Sequence, residues 1–147
     1  MPATNATPDG FSAEERAAMK ERAAELRAEG KKGAKRADGL QAVLDAIAKM
    51  DPEDRALAER VHVAVTTSAP ELAPKTWYGM PSYANADGKA VVFFQESGKF
   101  KARYSTLGFN DDAHLDDGEL WPVAYALIDW NAAVEKKVVA LIKAAVS

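Results

Sequence analysis

Large apolar residues recur at helical spacing in the first half of the chain and change to strand-like runs in the second. Leu40, Val43, Leu44, Ile47 and Met50 follow the three-and-four spacing of one helix face, and Leu57, Val61 and Val65 do so again. Each stripe predicts a core-facing helix. Between them, Asp51 is expected as N-cap, with Pro52 at the first helical position and acids in the first turn. Pro70 and Pro74 should stop the second helix. Upstream, Ser12 and Glu15 have the spacing of a capping box and start a helix over residues 13–29. That helix is rich in alanine, glutamate and arginine, and its large apolar residues are Met19 and Leu26. With so little to bury, it should lie on the surface or project toward a partner. Gly30 and Gly33 are expected to end it, and Lys31 to Arg36 reads as a basic linker.

Beyond residue 75 the period shortens. Residues 76–80 read as a strand, and Asn85-Ala86-Asp87-Gly88 as a turn. Ala90-Val91-Val92-Phe93-Phe94 is apolar on both faces, as a central strand should be. Glu96-Ser97-Gly98-Lys99 turns the chain again. Phe100, Ala102 and Tyr104 alternate with Lys99, Lys101 and Arg103, which predicts a strand with one buried face. A long loop over 106–119 and a strand over 120–127 follow, with Pro122 at an edge or bulge. Asn131 is placed to cap a final helix, whose stripe is Val134, Val138, Leu141, Ile142 and Ala145. The order predicts an α+β fold: an antiparallel meander of four to five strands with helices on one face, plus an N-terminal helical extension. The chain divides near Gly39. Residues 1–39 form a loose tail, a surface helix and a linker; residues 40–147 form the α+β domain.

Composition narrows the function classes. The 147 residues carry a net charge of −3, which gives no general pull toward nucleic acid. Eight Lys/Arg and seven Asp/Glu lie in 1–39, against eleven and fifteen in 40–147, so the acidity belongs to the second part. The absence of cysteine excludes disulfides, thiol catalysis and cysteine-ligated metal sites. No apolar run approaches the roughly 18–20 residues of a membrane span, and Met1 to Gly10 lacks the features of a secretory signal. A cytoplasmic location is the expectation that follows.

Candidate chemistry concentrates in residues 110–119. Asp111, Asp112, Asp116, Asp117 and Glu119 put five carboxylates beside His114. Oxygen-rich clusters attract hard cations, and a histidine adds affinity for iron or manganese. A solvated acidic loop, with Asp111 or Asp116 capping a turn, is the alternative reading of the same residues. Lys101 and Arg103, on one strand face near aromatics, suggest a shallow anion-binding surface or an ordinary solvated face. His62 lies one residue from a buried stripe and reads as a partly buried, non-functional histidine. Neither histidine sits in a nucleophile motif, and no glycine-rich phosphate loop is present. No catalytic residues are therefore assigned.

The densest motif is Trp77-Tyr78-Gly79-Met80-Pro81, followed by Tyr83. A structural role is expected, since proline fixes φ and glycine permits close approach or an unusual dihedral. With Gly88-Lys89-Ala90-Val91-Val92-Phe93-Phe94 and Lys101-Ala102-Arg103-Tyr104-Ser105-Thr106-Leu107-Gly108-Phe109, it resembles the YdhG-like family, whose members carry a Tyr-Gly-Met-Pro motif where the chain enters the sheet. The stretch from Leu115 to Pro122 resembles a subgroup of it. The resemblance covers roughly residues 40–147 and implies a frataxin-like fold. Much of that family has no assigned function; one branch is described as an iron chaperone. The resemblance thus implies a non-enzymatic protein that binds or delivers iron; for such a role the acidic loop offers Asp111, Asp112, His114, Asp116 and Asp117 as the first candidate ligands. An acidic ridge of frataxin type does not transfer, because Arg55 and Arg60 interrupt Asp51, Glu53, Asp54 and Glu59. The alternative is a module that holds a protein or small anion on its open sheet face and N-terminal helix, as a monomer or weak homodimer.

Overall fold

The computed structural model describes residues 12–32 and 36–147, and for residues 26–32 the backbone alone. The chain is α+β. Its elements are α1 (Ala13–Lys32), α2 (Arg36–Ala48), α3 (Pro52–Ser68), β1 (Ala73–Trp77), β2 (Met80–Ala84), β3 (Ala90–Gln95), α4 (Ser97–Phe100), β4 (Ser105–Phe109), β5 (Ala124–Leu127) and α5 (Ala132–Ala145). The five strands pair antiparallel in chain order, as an open meander with β3 at its centre. Among the described residues no helix is long and apolar enough to cross a membrane.

Alternation sorts the sheet into two faces. Tyr83, Val92 and Phe109 share a register across β2, β3 and β4, and Phe94 pairs with Leu107 one step along the same face. These residues join Val43 and Ile47 of α2, Val61 and Val65 of α3, and Val138 and Ile142 of α5 in one core. On the opposite face Trp77 lies against Phe93 with ring centroids 5.1 Å apart. The Phe93 ring fills the space over Gly108, where a Cβ would run into it. That face is therefore partly roofed by its own aromatics.

The α2 stripe is narrower than expected. Val43, Ile47 and Met50 are buried, but Leu40 and Leu44 are exposed. At about 100° per residue both fall on one flank of the buried line. Arg36, read as linker, opens α2 and donates to the carbonyls of Pro70 and Leu72 at 2.9 and 3.0 Å. Asp51 occupies the N-cap position of α3 with Pro52 behind it, yet its side chain makes no cap bond. The capping box at Ser12 and Glu15 forms reciprocally, at 2.8 and 3.0 Å. From there α1 continues through Gly30 to Lys32, past its expected end. Met1 to Gly10, the 33–35 part of the linker and the Leu26 side chain lie outside the described residues.

The second half departs most from expectation. Residues 76–80 are not one strand but the tip of a hairpin: β1 ends at Trp77 and β2 begins at Met80. Tyr78 and Gly79 have φ of 53° and 76°, the double positive-φ pattern of a type I′ turn. Nor do residues 100–104 form a strand. Ser97–Phe100 is a helical turn, closed by Lys101 in the left-handed region, with Ala102 N–H donating to Ser97 O at 2.9 Å. The strand starts later, at Ser105, and uses the beginning of the expected loop. The last strand is also shorter, Ala124–Leu127, with Pro122 ahead of it. Asn131 caps α5 as anticipated, its Oδ1 accepting from Val134 N at 2.9 Å.

Candidate functional site

A groove of about 700 Å³ lies between the first half of α3, the 103–105 segment and the β5–α5 connection. Its position is set by one buried carboxylate. Asp54 is 5% exposed. Its Oδ1 accepts from Ser97 Oγ at 2.7 Å and Ser105 Oγ at 3.1 Å, and its Oδ2 from Gly98 N–H at 2.9 Å. A buried carboxylate is tolerated only with such donors. They hold α4 and the start of β4 against α3, which turns the segment carrying Arg103 toward the groove.

Arg60 of α3 and Arg103 line this groove. The Arg103 guanidinium lies 5.3 Å from the Tyr104 ring centroid. Among the described residues neither arginine has an ion-pair partner. Glu53 and Asp129 line the same space, so its charge is mixed. Trp130, Leu127 and Ile128 supply an apolar wall, and Ile128 is 74% exposed. Trp130 Nε1–H donates to Glu135 Oε1 at 3.2 Å, which fixes the indole. The arrangement offers two cationic forks beside an uncovered hydrophobic surface, a combination suited to an anion with an apolar body.

Lys101 does not join Arg103. The α4 closure sends it the other way, to Glu14 Oε2 at 2.8 Å. That contact lowers the Glu14 pKa and raises the Lys101 pKa.

The acidic loop is dispersed. Asp111 and Asp112 line a groove of about 350 Å³ with Asn110, Lys89, Arg22 and Trp77. Asp112 Oδ2 accepts from Asn85 Nδ2 at 2.7 Å. His114 is drawn toward the end of α5, its N–H donating to Ala145 O and its Nδ1 3.0 Å from Ser147 O. Asp116 and Asp117 are exposed. Among the described residues no group of three or more His, Asp or Glu side chains is disposed to hold a metal ion.

The Trp77-Tyr78-Gly79-Met80-Pro81 motif is the hairpin tip, and α1 packs against it. Glu25 Oε1 accepts from Tyr78 N–H at 3.1 Å and Oε2 from Gly79 N–H at 3.2 Å. Between α1, α2 and the tip lies a cleft of about 750 Å³ lined by Glu21, Glu25, Asp45, Asp51 and Glu96, with Lys49 and Lys99. Burial raises the Glu96 pKa; Lys99 opposes this, while Asp54, Asp51 and Glu21 reinforce it. On the core side, His62 Nδ1 and Tyr83 Oη share a 2.8 Å hydrogen bond. Burial lowers the His62 pKa and raises that of Tyr83 well above the usual phenol range.

Comparison with protein-family models, curated proteins and solved structures finds no match. The geometry itself therefore carries the functional argument.

The sequence singled out Arg103 with Lys101; it gave no sign of Arg60, Trp130 and Ile128 as neighbours of Arg103 in one groove. Arg60 read only as a break in an acidic run. No local pattern signals that a helix residue and a loop residue from opposite halves converge. Glu25 was equally silent, one glutamate among many on an alanine-rich helix.

Proposed function

We propose that the chain is a non-enzymatic binding module whose Arg60–Arg103 groove holds a small organic anion. One observation carries this reading: two guanidiniums that, among the described residues, form no ion pair line a groove beside an exposed apolar wall. A carboxylate or phosphate monoester on an aromatic or aliphatic body matches both features. Glu53 and Asp129 weigh against a polyanion, because like charges this near disfavour added negative charge. Calorimetric titration with benzoate and phenyl phosphate at low salt tests the reading. Saturable binding is expected. The Arg60→Gln/Arg103→Gln chain should bind at least about tenfold more weakly, since each charge-assisted hydrogen bond contributes about 1.5–3 kcal/mol. Absence of saturable binding by the wild type, or equal binding by the variant, refutes it.

Iron binding, the role implied by the YdhG-like resemblance, is the second reading. It is supported by Asp111 and Asp112 sharing one groove. Anaerobic iron(II) titration of the Asp111→Asn/Asp112→Asn chain should then lose the saturable phase. Retention of that phase would remove this loop from consideration.

A further inference from the structure

The hairpin tip has a property that the Arg60–Arg103 groove does not explain. A two-residue type I′ turn leaves the N–H groups of its central residues outside the strand ladder. With both φ positive, the Tyr78 and Gly79 N–H groups reach the same point, and a carboxylate sits there, one oxygen on each donor. Cationic groups surround that point. Arg22 Nη1 is 3.6 Å from Glu25 Oε1, and its guanidinium lies 6.0 Å from the Tyr78 ring centroid. Lys99 Nζ lies beside Gly79 and donates to Glu21 Oε1 at 2.6 Å. Successive backbone N–H groups in a turn form an anion-binding concavity, and flanking cations strengthen it.

The helix that carries this carboxylate buries little apolar surface where its side chains are described. Where side chains are described, α1 buries one apolar residue, Ala18, while Met19 is 42% exposed. Its ties to the rest of the chain include the Glu14–Lys101 and Glu21–Lys99 pairs, in each of which one partner is exposed. Such pairs are weak and screened by salt. The cleft beneath separates α1 from α2 rather than packing the two together.

We propose that the Tyr78–Gly79 turn is a carboxylate receptor plugged in cis by Glu25, and that it takes a carboxylate-bearing ligand when α1 lifts away. The α1 helix is then a strap carrying a built-in competitor. This inference is independent of the Arg60–Arg103 groove, which lies on another surface.

The test uses the full chain, isotopically labelled and followed by amide resonances at constant ionic strength. In Glu25→Ala, acetate should shift the Tyr78 and Gly79 amides saturably, back toward their wild-type positions. Wild type should need at least tenfold more acetate, because Glu25 competes. A synthetic peptide of residues 12–32 distinguishes the source of the carboxylate. If it moves the same amides at tenfold lower concentration than acetate, the receptor serves a protein segment; if not, a small free carboxylate. Either supports the receptor. No shift at these amides in the variant, or an equal shift with chloride, overturns it. Should Glu25→Ala fail to fold, Glu14→Gln/Glu21→Gln loosens the strap and leaves the plug. Hydrogen exchange at Tyr78 and Gly79 should then accelerate at least tenfold, and unchanged exchange overturns the strap.

Discussion

Two residues show how much backbone geometry and burial decide at single positions. Gly79 has φ of 76°, and a Cβ there would meet the Glu21 carboxylate and the Lys99 ammonium. A β-branched residue with positive φ is strained by about 1–3 kcal/mol before any clash. Gly79→Val should therefore lower the melting temperature by several degrees, at roughly 3–4 °C per kcal/mol for a chain of this size. An unchanged melting temperature would mean that the turn does not need its left-handed residue. His62 governs a pH response. Burial holds its pKa below the ordinary value of 6.5, so the folded state disfavours the imidazolium that the unfolded state accepts. Between the depressed value and 6.5 the unfolded chain binds more protons, and stability rises with pH. The His62 contribution is thus complete above pH 6.5 and is lost as pH falls through the folded-state value. Denaturation midpoints measured from pH 5 to 7 should show this slope in wild type and a shallower one in His62→Asn. Equal slopes would place the titration elsewhere.

Among the elements, α4 explains the largest departure from sequence expectation. Residues 99–104 alternate polar and apolar, which is the signature of a half-buried strand. The alternation lost to capping: Asp54 takes the Gly98 N–H and two hydroxyls, and Lys101 closes the turn in the left-handed region. Local period measures which residues would face inward if a strand formed, not whether a distant carboxylate holds the backbone in a turn. Asp54→Ala leaves the Ser97 and Ser105 hydroxyls and the Gly98 N–H without their acceptor in a part-buried site. It should cost about 2–4 kcal/mol by chemical denaturation, and Asp54→Asn less, because the amide oxygen still accepts. The same loss in both variants would show that charge, rather than hydrogen-bond geometry, fixes α4. The helices behaved differently. The stripes of α3 and α5 and the Asn131 cap were legible because helical bonds and caps close within a few residues.

At the scale of the molecule, the described side chains of α1 meet the rest of the chain largely through carboxylates, with one buried alanine, Ala18. Each exposed ion pair contributes at most ~1 kcal/mol. A chain beginning at Arg36 should keep a single cooperative thermal transition, with a melting temperature lower by several degrees. An unfolded or aggregating product would make α1 part of the core. The α+β class, an antiparallel meander of four to five strands and the central place of β3 followed from the sequence, since the helical stripes precede apolar runs too closely spaced for parallel crossovers; the actual five strands differ from those read, with 76–80 a hairpin tip and 100–104 no strand. The core residues Phe94, Val61 and Ile142 followed from the same patterns. Of the candidate sites, Arg103 and the motif at residues 77–81 were visible as residues, though not in their settings. The hairpin tip inside that motif, the capping of α4 by Asp54, the Arg60–Arg103 pairing and the Glu25 plug were decided by tertiary structure alone. By itself the sequence determines what depends on neighbours within one or two helical turns, because periodicity and capping are short-range. Convergence of side chains from distant segments depends on the packing of whole elements, and no local pattern records it.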